Sequence, residues 1–349
     1  MTDEIYMQRC LDLAALGFPE VMPNPAVGCV IVNQNKIVGE GWHKKCGGPH
    51  AEVHAINSVK DKSLLANSIL YVNLEPCSHH GKTPPCVDLI IKSGIKKVVM
   101  GVKDPNPIVA GKGIEKLQQA GIEVVLNVLE KKAIELNRRF FIFHLNHRPY
   151  IILKWAQTKD GFIADRSGNS KWISNEHSRI LVHKWRTEEM AIMAGTNTIR
   201  TDNPMLTARD WPGKNPVRII IDKKRSLPAN MNVFTPDAKV YIFNDHKNSV
   251  EENLHYIKTE FNNQLIQQIL HHLYLENIQS IIVEGGSRLL HSFTGDGLWD
   301  EARIFISDKE FGDGIKPPEI KTKLISETQI NGDRLLIYGG EEVPKVWST

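Results

Sequence analysis

Residues 50–86 read HAEVHAINSVKDKSLLANSILYVNLEPCSHHGKTPPC. Ala51–Val59 carries apolar residues at helical spacing, Ile69–Leu74 is a short apolar run of the buried-strand kind, and Pro85–Lys92 opens a helix with proline in its first turn. Helix, strand and helix in so short a span set the fold class as α/β. Outward toward the N-terminus, Ala26–Val32 and Lys36–Trp42 read as two strands joined by the turn Asn33-Gln34-Asn35. Before them, residues 2–17 show helical spacing that ends at Gly17 and Pro19. In the other direction, Lys97–Val102 reads as a strand, Gly113–Ala120 as a helix and Ile122–Leu126 as a strand. A hairpin followed by alternating helices and strands predicts a layered α/β sandwich. A helical pattern from about Glu130 to His144 runs into the polar stretch Asn146-His147-Arg148-Pro149, which marks a domain boundary. The expected domains are therefore 1–146 and 147–349.

The second domain restarts with a strand at Tyr150–Ala156. Further strands are expected at Ala191–Ala194, Val217–Asp222, Lys239–Phe243, Ser280–Val283 and Ala302–Ile306, and helices at Asn175–Trp185 and Leu265–Leu275. This half is again α/β. Trp211–Pro216 and Lys316–Glu319 read as surface loops.

The opening stretch also carries chemistry. His50, Cys77 and Cys86 offer one imidazole and two thiolates, a ligand set suited to Zn²⁺ with a fourth position left for water. Glu52, two residues beyond the histidine, is placed to move protons without binding the metal. Zinc deaminases hydrolyse the exocyclic amine of a heterocycle with this combination of groups. Helix starts at His50 and Cys86 favour thiolate over thiol and can converge on one metal. A purely structural zinc is the competing reading, because Cys46, His54, His79 or His80 could fill the fourth position. Many nucleobase deaminases space their cysteines as Cys-x-x-Cys. Here Ser78 to Pro85 separate them, and that longer loop, with one lysine and two histidines, suits an anionic substrate.

Composition narrows the classes. The 349 residues are 41% hydrophobic and 24% charged, ordinary for a globular chain of two domains. A formal net charge of +3 gives no bulk support for nucleic-acid binding. No stretch approaches the roughly 20 apolar residues of a membrane span, and the N-terminus is too charged for a signal peptide. Five cysteines, all within the first quarter, read as thiols or ligands rather than disulfides, and the expected compartment is the cytoplasm.

Asn24-Pro25-x-Val27-Gly28, His50-Ala51-Glu52 and Glu75-Pro76-Cys77-x8-Cys86 together resemble the deaminase domain of the bifunctional riboflavin-biosynthesis deaminase/reductase family. The C-terminal half resembles the reductase domain of that family through Lys154-x-Ala156, Asp160-Gly161-x-Ile163-Ala164, Ser170-x-Trp172-Ile173, Thr198-x3-Asp202-x-Pro204-x-Leu206-x2-Arg209 and Glu284-Gly285-Gly286. The resemblance covers nearly the whole chain. It implies a cytidine-deaminase-like three-layer α/β/α domain followed by a dihydrofolate-reductase-like α/β domain. It also implies two consecutive steps: loss of the 2-amino group of a diaminopyrimidinone bearing a phosphoribosylamino group, then NADPH reduction of the ribosyl group to ribityl.

By that resemblance, one zinc per chain is held by His50, Cys77 and Cys86, and Glu52 is the proton shuttle. Asn24, His43, Lys82, Asp104 and Asn106 line the deaminase pocket, with Lys82 as a phosphate contact; Asn24, Asp104 and Asn106 read equally well as turn residues. In the reductase half, Ser170, Arg186, Leu206, Arg209 and Glu284 contact substrate, and the two arginines pin its phosphate; without the resemblance they read as surface ion pairs. The cofactor positions are Lys154, Ala156, Trp172, Thr198, Asp202 and the turn Gly286, Ser287, Arg288, Leu289, Leu290, His291 and Ser292. Lys154 could face either substrate or cofactor, and Arg288 is a possible contact to a 2′-phosphate. The turn is not G-x-G-x-x-G, which disfavours a Rossmann domain. The family also implies a homo-oligomer, dimer or tetramer.

Two departures stand out. Met190 occupies a position where the family commonly has Asp, so that either Glu189 substitutes or the position is structural, and Asp210-Trp211-Pro212-Gly213-Lys214 is an elaborated loop. Two other functions fit parts of the pattern: a cytidine or RNA-base deaminase with an unrelated second half, and a zinc-stabilised nucleotide sensor. The absence of stacking aromatics weighs against RNA, and an intact Glu52 against a sensor.

Overall fold

The computed structural model describes residues 2–79, 84–170 and 173–340. They form two compact units, one ending at Asn146 and one beginning at His147.

The first unit runs α1 (Asp3–Ala15), β1 (Gly28–Asn33), β2 (Lys36–Trp42), α2 (Ala51–Ser58), β3 (Ile69–Val72), α3 (Cys86–Lys92), β4 (Lys97–Met100), α4 (Lys112–Gln119), β5 (Glu123–Val125), α5 (Glu130–Leu136) and α6 (Arg138–Asn146). Its sheet has the order β2-β1-β3-β4-β5. β1 pairs antiparallel with β2 and β3, while β3, β4 and β5 are parallel. Side chains alternate across these strands, so each face buries its own set. Cys29, Ile31, Leu70, Val72, Val98 and Met100 pack under α2, α3 and α4. Val30, Val32, Tyr71 and Val99 pack under α1. The result is three layers, α/β/α. α2 lies so close to β2 that a Cβ on Gly41 would sit 2.4 Å from the Ala55 nitrogen; this approach presses the start of α2 against the sheet.

The expected helix over 130–144 is two helices. Asn137 is buried between them and its side chain grips another part of the chain: Oδ1 accepts from the Ala26 nitrogen at 2.7 Å, and Nδ2 donates to the Ala26 carbonyl at 2.9 Å. Helical periodicity carries through the break, so only this tertiary contact reveals it.

The second unit runs β6 (Tyr150–Gln157), α7 (Glu176–Glu188), β7 (Ala191–Gly195), α8 (Thr196–Asp202), β8 (Val217–Ile221), β9 (Val240–Asn244), β10 (Ser249–Glu251), β11 (Leu254–Lys258), α9 (Leu265–Leu275), β12 (Ser280–Val283), α10 (Ser287–Gly295), β13 (Glu301–Ile306), β14 (Leu324–Ile330) and β15 (Asp333–Gly339). Its ten-stranded sheet has the order β10-β11-β9-β8-β7-β12-β6-β13-β15-β14. From β11 to β13 all neighbours are parallel, and β10, β15 and β14 add antiparallel edges. α9 and α10 bury Ile269, Leu270, Leu273, Leu290 and Phe293 against one face. On α7, Trp185 stacks at 5.5 Å on Phe305 of β13.

Short or exposed elements escaped the sequence reading. α8, TNTIRTD, is built of poor helix formers. β14, LISETQI, is an exposed edge without apolar alternation. Met190 is structural: its sulfur accepts from the Gln279 nitrogen at 3.3 Å, and its side chain packs on the core of this unit. Glu189 is buried 4.0 Å from Arg303. Neither lines the cleft described below.

Candidate active sites

In the first unit, His50, Cys77 and Cys86 converge, with their ligand atoms all within 4.8 Å of one another. His50 is the N-cap of α2, Cys86 is the first residue of α3, and Cys77 follows β3. The His50 Nδ1 lies 3.5 Å from the Cys77 sulfur and 3.3 Å from that of Cys86. Tetrahedral coordination with metal–sulfur distances of about 2.3 Å and metal–nitrogen of about 2.0 Å places N and S ligands about 3.5 Å apart. Donor chemistry and spacing both fit zinc. Hydrogen bonds from Cys86 and His50 outweigh burial and hold the Cys77 thiol low, at about 4. The hydrogen bond shared with Cys77, together with burial, pushes Cys86 up. A bound cation would favour thiolate at both. Among the described residues, Cys46, His54 and His79 are not in the cluster.

Glu52, in the first turn of α2, is 3% exposed. Burial raises its carboxyl above the ordinary range, and the charge of Cys77 adds to this. His43 is buried beside the cluster, its ring edge-on to His50 at 5.3 Å. Burial keeps it neutral by lowering its pKa. Its Nδ1 lies 3.0 Å from the Pro49 carbonyl, which only accepts, so Nδ1 carries the proton and Nε2 accepts from Asn24 Nδ2 at 3.1 Å. Asn24 and His43 thus stand together at the chain leading into His50. Lys82 and His80 lie outside the described residues.

Asp104 and Asn106 serve first as turn residues: Asp104 Oδ1 accepts from the Asn106 nitrogen, and Asn106 Oδ1 from that of Ile108. Burial raises the Asp104 carboxyl to about 7, helped by Glu75 and Cys77. Glu75, in the Glu75-Pro76-Cys77 motif, is an organising residue. Its buried carboxylate accepts from the backbone nitrogens of Asp104 (3.2 Å), Gly111 (2.9 Å), Gly113 (2.9 Å) and Ile114 (3.2 Å). It therefore ties the 104–111 loop and the first turn of α4 to the segment after β3 that carries Cys77. A Cβ on Gly113 would sit 2.3 Å from the Pro76 carbonyl oxygen, so only glycine fits there.

In the second unit a cleft of about 1770 Å³ opens at the C-terminal ends of β6, β7, β8 and β12, where open parallel sheets bind ligands. Lys154, Ala156, Ser170, Arg186, Thr198, Asp202, Leu206, Arg209, Glu284, Gly286, Ser287, Arg288, Leu289 and Ser292 line it. Two residues of the expected cofactor turn do not. Leu290 is fully buried in the core, and His291, its Nδ1 facing the Ser287 carbonyl at 2.8 Å, lies off the lining. A helix presents only part of each turn to a ligand, which a contiguous motif cannot show. Trp172 lies outside the described residues.

At the floor of the cleft Glu284 joins two cations. Arg186 grips it with two hydrogen bonds of 2.9 and 2.8 Å, and Lys154 Nζ lies 3.5 Å away. Burial opposes the charge of Glu284, but Arg186 and Lys154 hold its carboxyl down at about 2. Burial lowers Lys154. Arg186 also donates to the Thr207 carbonyl, so it is an interior residue with its donors engaged rather than a surface ion pair.

Ser170 donates to Asp202 at 3.2 Å, bringing an expected substrate position against an expected cofactor position. Leu206 holds φ at +53° while buried at the cleft, a strained backbone. Past β12, Gly285 and Gly286 open α10 at the cleft, and no side chain caps that helix. A Cβ on Gly286 would meet Thr198 Oγ1 at 3.2 Å. A helix N-terminus behind a bare glycine fits a dinucleotide phosphate, and the cleft has room for cofactor and substrate together.

Comparison with known proteins follows the same division. Residues 1–102 match the family model of the cytidine and deoxycytidylate deaminase zinc-binding region, and 149–333 that of the RibD C-terminal domain. The riboflavin biosynthesis protein RibD of Aquifex aeolicus is 43% identical over 334 residues, covering 93% of this chain and 92% of its own. That of Escherichia coli is 37% identical over 330 residues, with 89% of each chain covered. The crystal structure of the diaminohydroxyphosphoribosylaminopyrimidine deaminase/5-amino-6-(5-phosphoribosylamino)uracil reductase of Thermotoga maritima superposes with a TM-score of 0.87 at 39% identity, covering 97% of this chain and 98% of that one. Acinetobacter baumannii RibD superposes at 0.88 with 31% identity, covering 97% and 99%.

Proposed function

The chain belongs to the RibD family of bifunctional riboflavin-biosynthesis enzymes, and from that membership we propose that it carries out two consecutive steps. The first is hydrolytic deamination of 2,5-diamino-6-(5-phosphoribosylamino)pyrimidin-4(3H)-one. The second is reduction of the ribosyl group, giving 5-amino-6-(5-phosphoribitylamino)uracil. The observation that carries the reading is the His50–Cys77–Cys86 cluster beside buried Glu52, on the same chain as the Lys154–Glu284–Arg186 cleft.

Zinc held by His50, Cys77 and Cys86 supplies the Lewis acidity that makes water a competent nucleophile near neutral pH. Glu52 takes the proton of the attacking water and returns one to the leaving amine, so the ring gains an oxygen and ammonia departs. Asn24 and neutral His43 fix one wall of the pocket. Glu75 holds the loop that carries Asp104 and Asn106 as another, and family resemblance alone assigns Lys82 to the phosphate.

In the second unit NADPH supplies the hydride. Gly286, Ser287 and Thr198 would cradle its phosphates, with Arg288 and Ser292 at the same end, and Ala156, Asp202 and Leu289 would bound the remainder of its site; family resemblance alone assigns Trp172 to the cofactor. Ionised Glu284, braced by Arg186, orients the ribosyl hydroxyls together with Ser170, and Leu206 packs against the substrate. Lys154, lowered by burial, stands beside them as the proton source for the reduced sugar. With Arg186 committed to Glu284, Arg209 is the arginine left for the substrate phosphate.

The domains run 1–146 for deamination and 147–349 for reduction, and the working form is a homo-oligomer, dimer or tetramer, in the cytoplasm. Among the described residues no helix is long and apolar enough to cross a membrane. Incubation of the zinc-loaded protein with the diaminopyrimidinone tests the reading. Ammonia should appear without NADPH, and NADPH should be consumed only where ammonia has been released. NADPH loss that precedes ammonia would reverse the order of steps.

A further inference from the structure

The 207–213 segment is strapped along α7. The Thr207 carbonyl accepts from Arg186 at 2.9 Å, and Trp211 lies under Lys184 at 5.8 Å. Gly213, at φ +149°, packs so tightly that a Cβ would sit 2.7 Å from the Thr187 side chain. Between these contacts the Asp210 carboxylate meets His183 Nε2 at 3.0 Å. The His183 side chain is 4% exposed and that of Asp210 48%. His183 Nδ1 is buried without a hydrogen-bond partner among the described residues. A carboxylate only accepts, so Nε2 carries the proton and the ring is a fixed donor. Arg209 sits between Ala208 and Asp210 at the cleft, half exposed, reaching Asp210 at 3.9 Å.

The geometry points to His183 and Asp210 as a latch that positions Arg209 for the phosphate of the reductase substrate. Helix α7 is thereby used twice on one face: at position 186 it anchors Glu284 inside the cleft, and three residues earlier it anchors the arginine at its mouth. The latch is a positioning device: His183 borders the cleft, but its Nε2 is engaged by Asp210 and its Nδ1 is buried, so neither ring nitrogen is offered to the substrate. It rests on the reductase reading above. Without the latch Arg209 must be ordered when the phosphate binds, a cost that appears in KM and leaves the hydride step alone.

The test compares His183→Phe, His183→Gln and Asp210→Ala on the deaminated ribosylaminouracil phosphate and on its dephosphorylated form. Glutamine places an amide nitrogen where the imidazole Nε2 stood, and Asp210→Ala changes a half-exposed residue with little risk to folding. His183→Phe and Asp210→Ala should each raise KM for the phosphorylated substrate roughly tenfold, the scale of one charge-assisted hydrogen bond, with kcat within about twofold. KM for the dephosphorylated substrate should not move. His183→Gln should recover most of the loss, and the double variant should be no worse than either single one. A fall in kcat at constant KM, an equal rise in KM on both substrates, or no rescue by glutamine overturns the latch. If the parent oxidises no NADPH with either substrate, the reductase reading falls. Calorimetry with inorganic phosphate then decides the latch alone: weaker binding by His183→Phe supports it, and equal binding overturns it.

Discussion

Replacing Glu75 by Gln changes one oxygen into an amide nitrogen. The wild-type carboxylate serves four backbone donors, two on each oxygen: Gly113 and Ile114 on Oε1, Asp104 and Gly111 on Oε2. Whichever way the amide turns, two N–H groups face another donor in a buried site. An orphaned buried donor costs about 1–3 kcal/mol, and the loop can relax to recover part of it, so the net loss should be about 3 kcal/mol. For a unit of this size that lowers Tm by about 10 °C. The damage should extend to the metal, because the segment after β3 that Glu75 anchors leads directly to Cys77. Differential scanning calorimetry would follow the first unit, and a colorimetric chelator would follow zinc release. The variant should melt early and lose zinc faster, while reduction of supplied deaminated intermediate stays intact. An unchanged melting temperature and unchanged zinc retention would refute the argument that this carboxylate organises the loop.

Three further outcomes follow from the same geometry. Burial and the Arg186 charge push His183 down to about 4, below its unfolded value of about 6.5. Its contribution to stability is therefore complete above pH 6.5 and is lost as pH falls toward 4; urea titrations over that range should show a shallower pH slope for His183→Gln than for the parent. Gly286→Val would place branched carbons against Thr198 Oγ1, and fluorescence titration should show NADPH affinity at least about tenfold weaker with ammonia release untouched. Zinc removal by a chelator should abolish ammonia release, leave reduction of supplied intermediate in place, and be reversed by added Zn²⁺.

The metal centre was legible because its residues sit where elements begin and end. His50 and Cys86 start helices and Cys77 follows a strand, positions readable from apolar periodicity and proline. Residues that act through distant chain segments were not. The ion pair of Arg186 with Glu284, 98 residues away, has no local signal in the sequence. Glu75 binds backbone 29 to 39 residues on, and Asn137 breaks a helix by gripping Ala26. In each case the signal is a polar side chain in a run that ought to be buried, which marks a partner without naming it. The loop at 210–214 looked like decoration because its contacts run to α7 rather than along the sequence.

One chain both deaminates and reduces, in that order. Glu52→Ala, loaded with zinc and given the diaminopyrimidinone with NADPH, tests it most directly. The variant should oxidise no NADPH from that substrate and should oxidise it fully when the deaminated intermediate is supplied instead. Oxidation by the variant from the diaminopyrimidinone, or none from the intermediate, would contradict it.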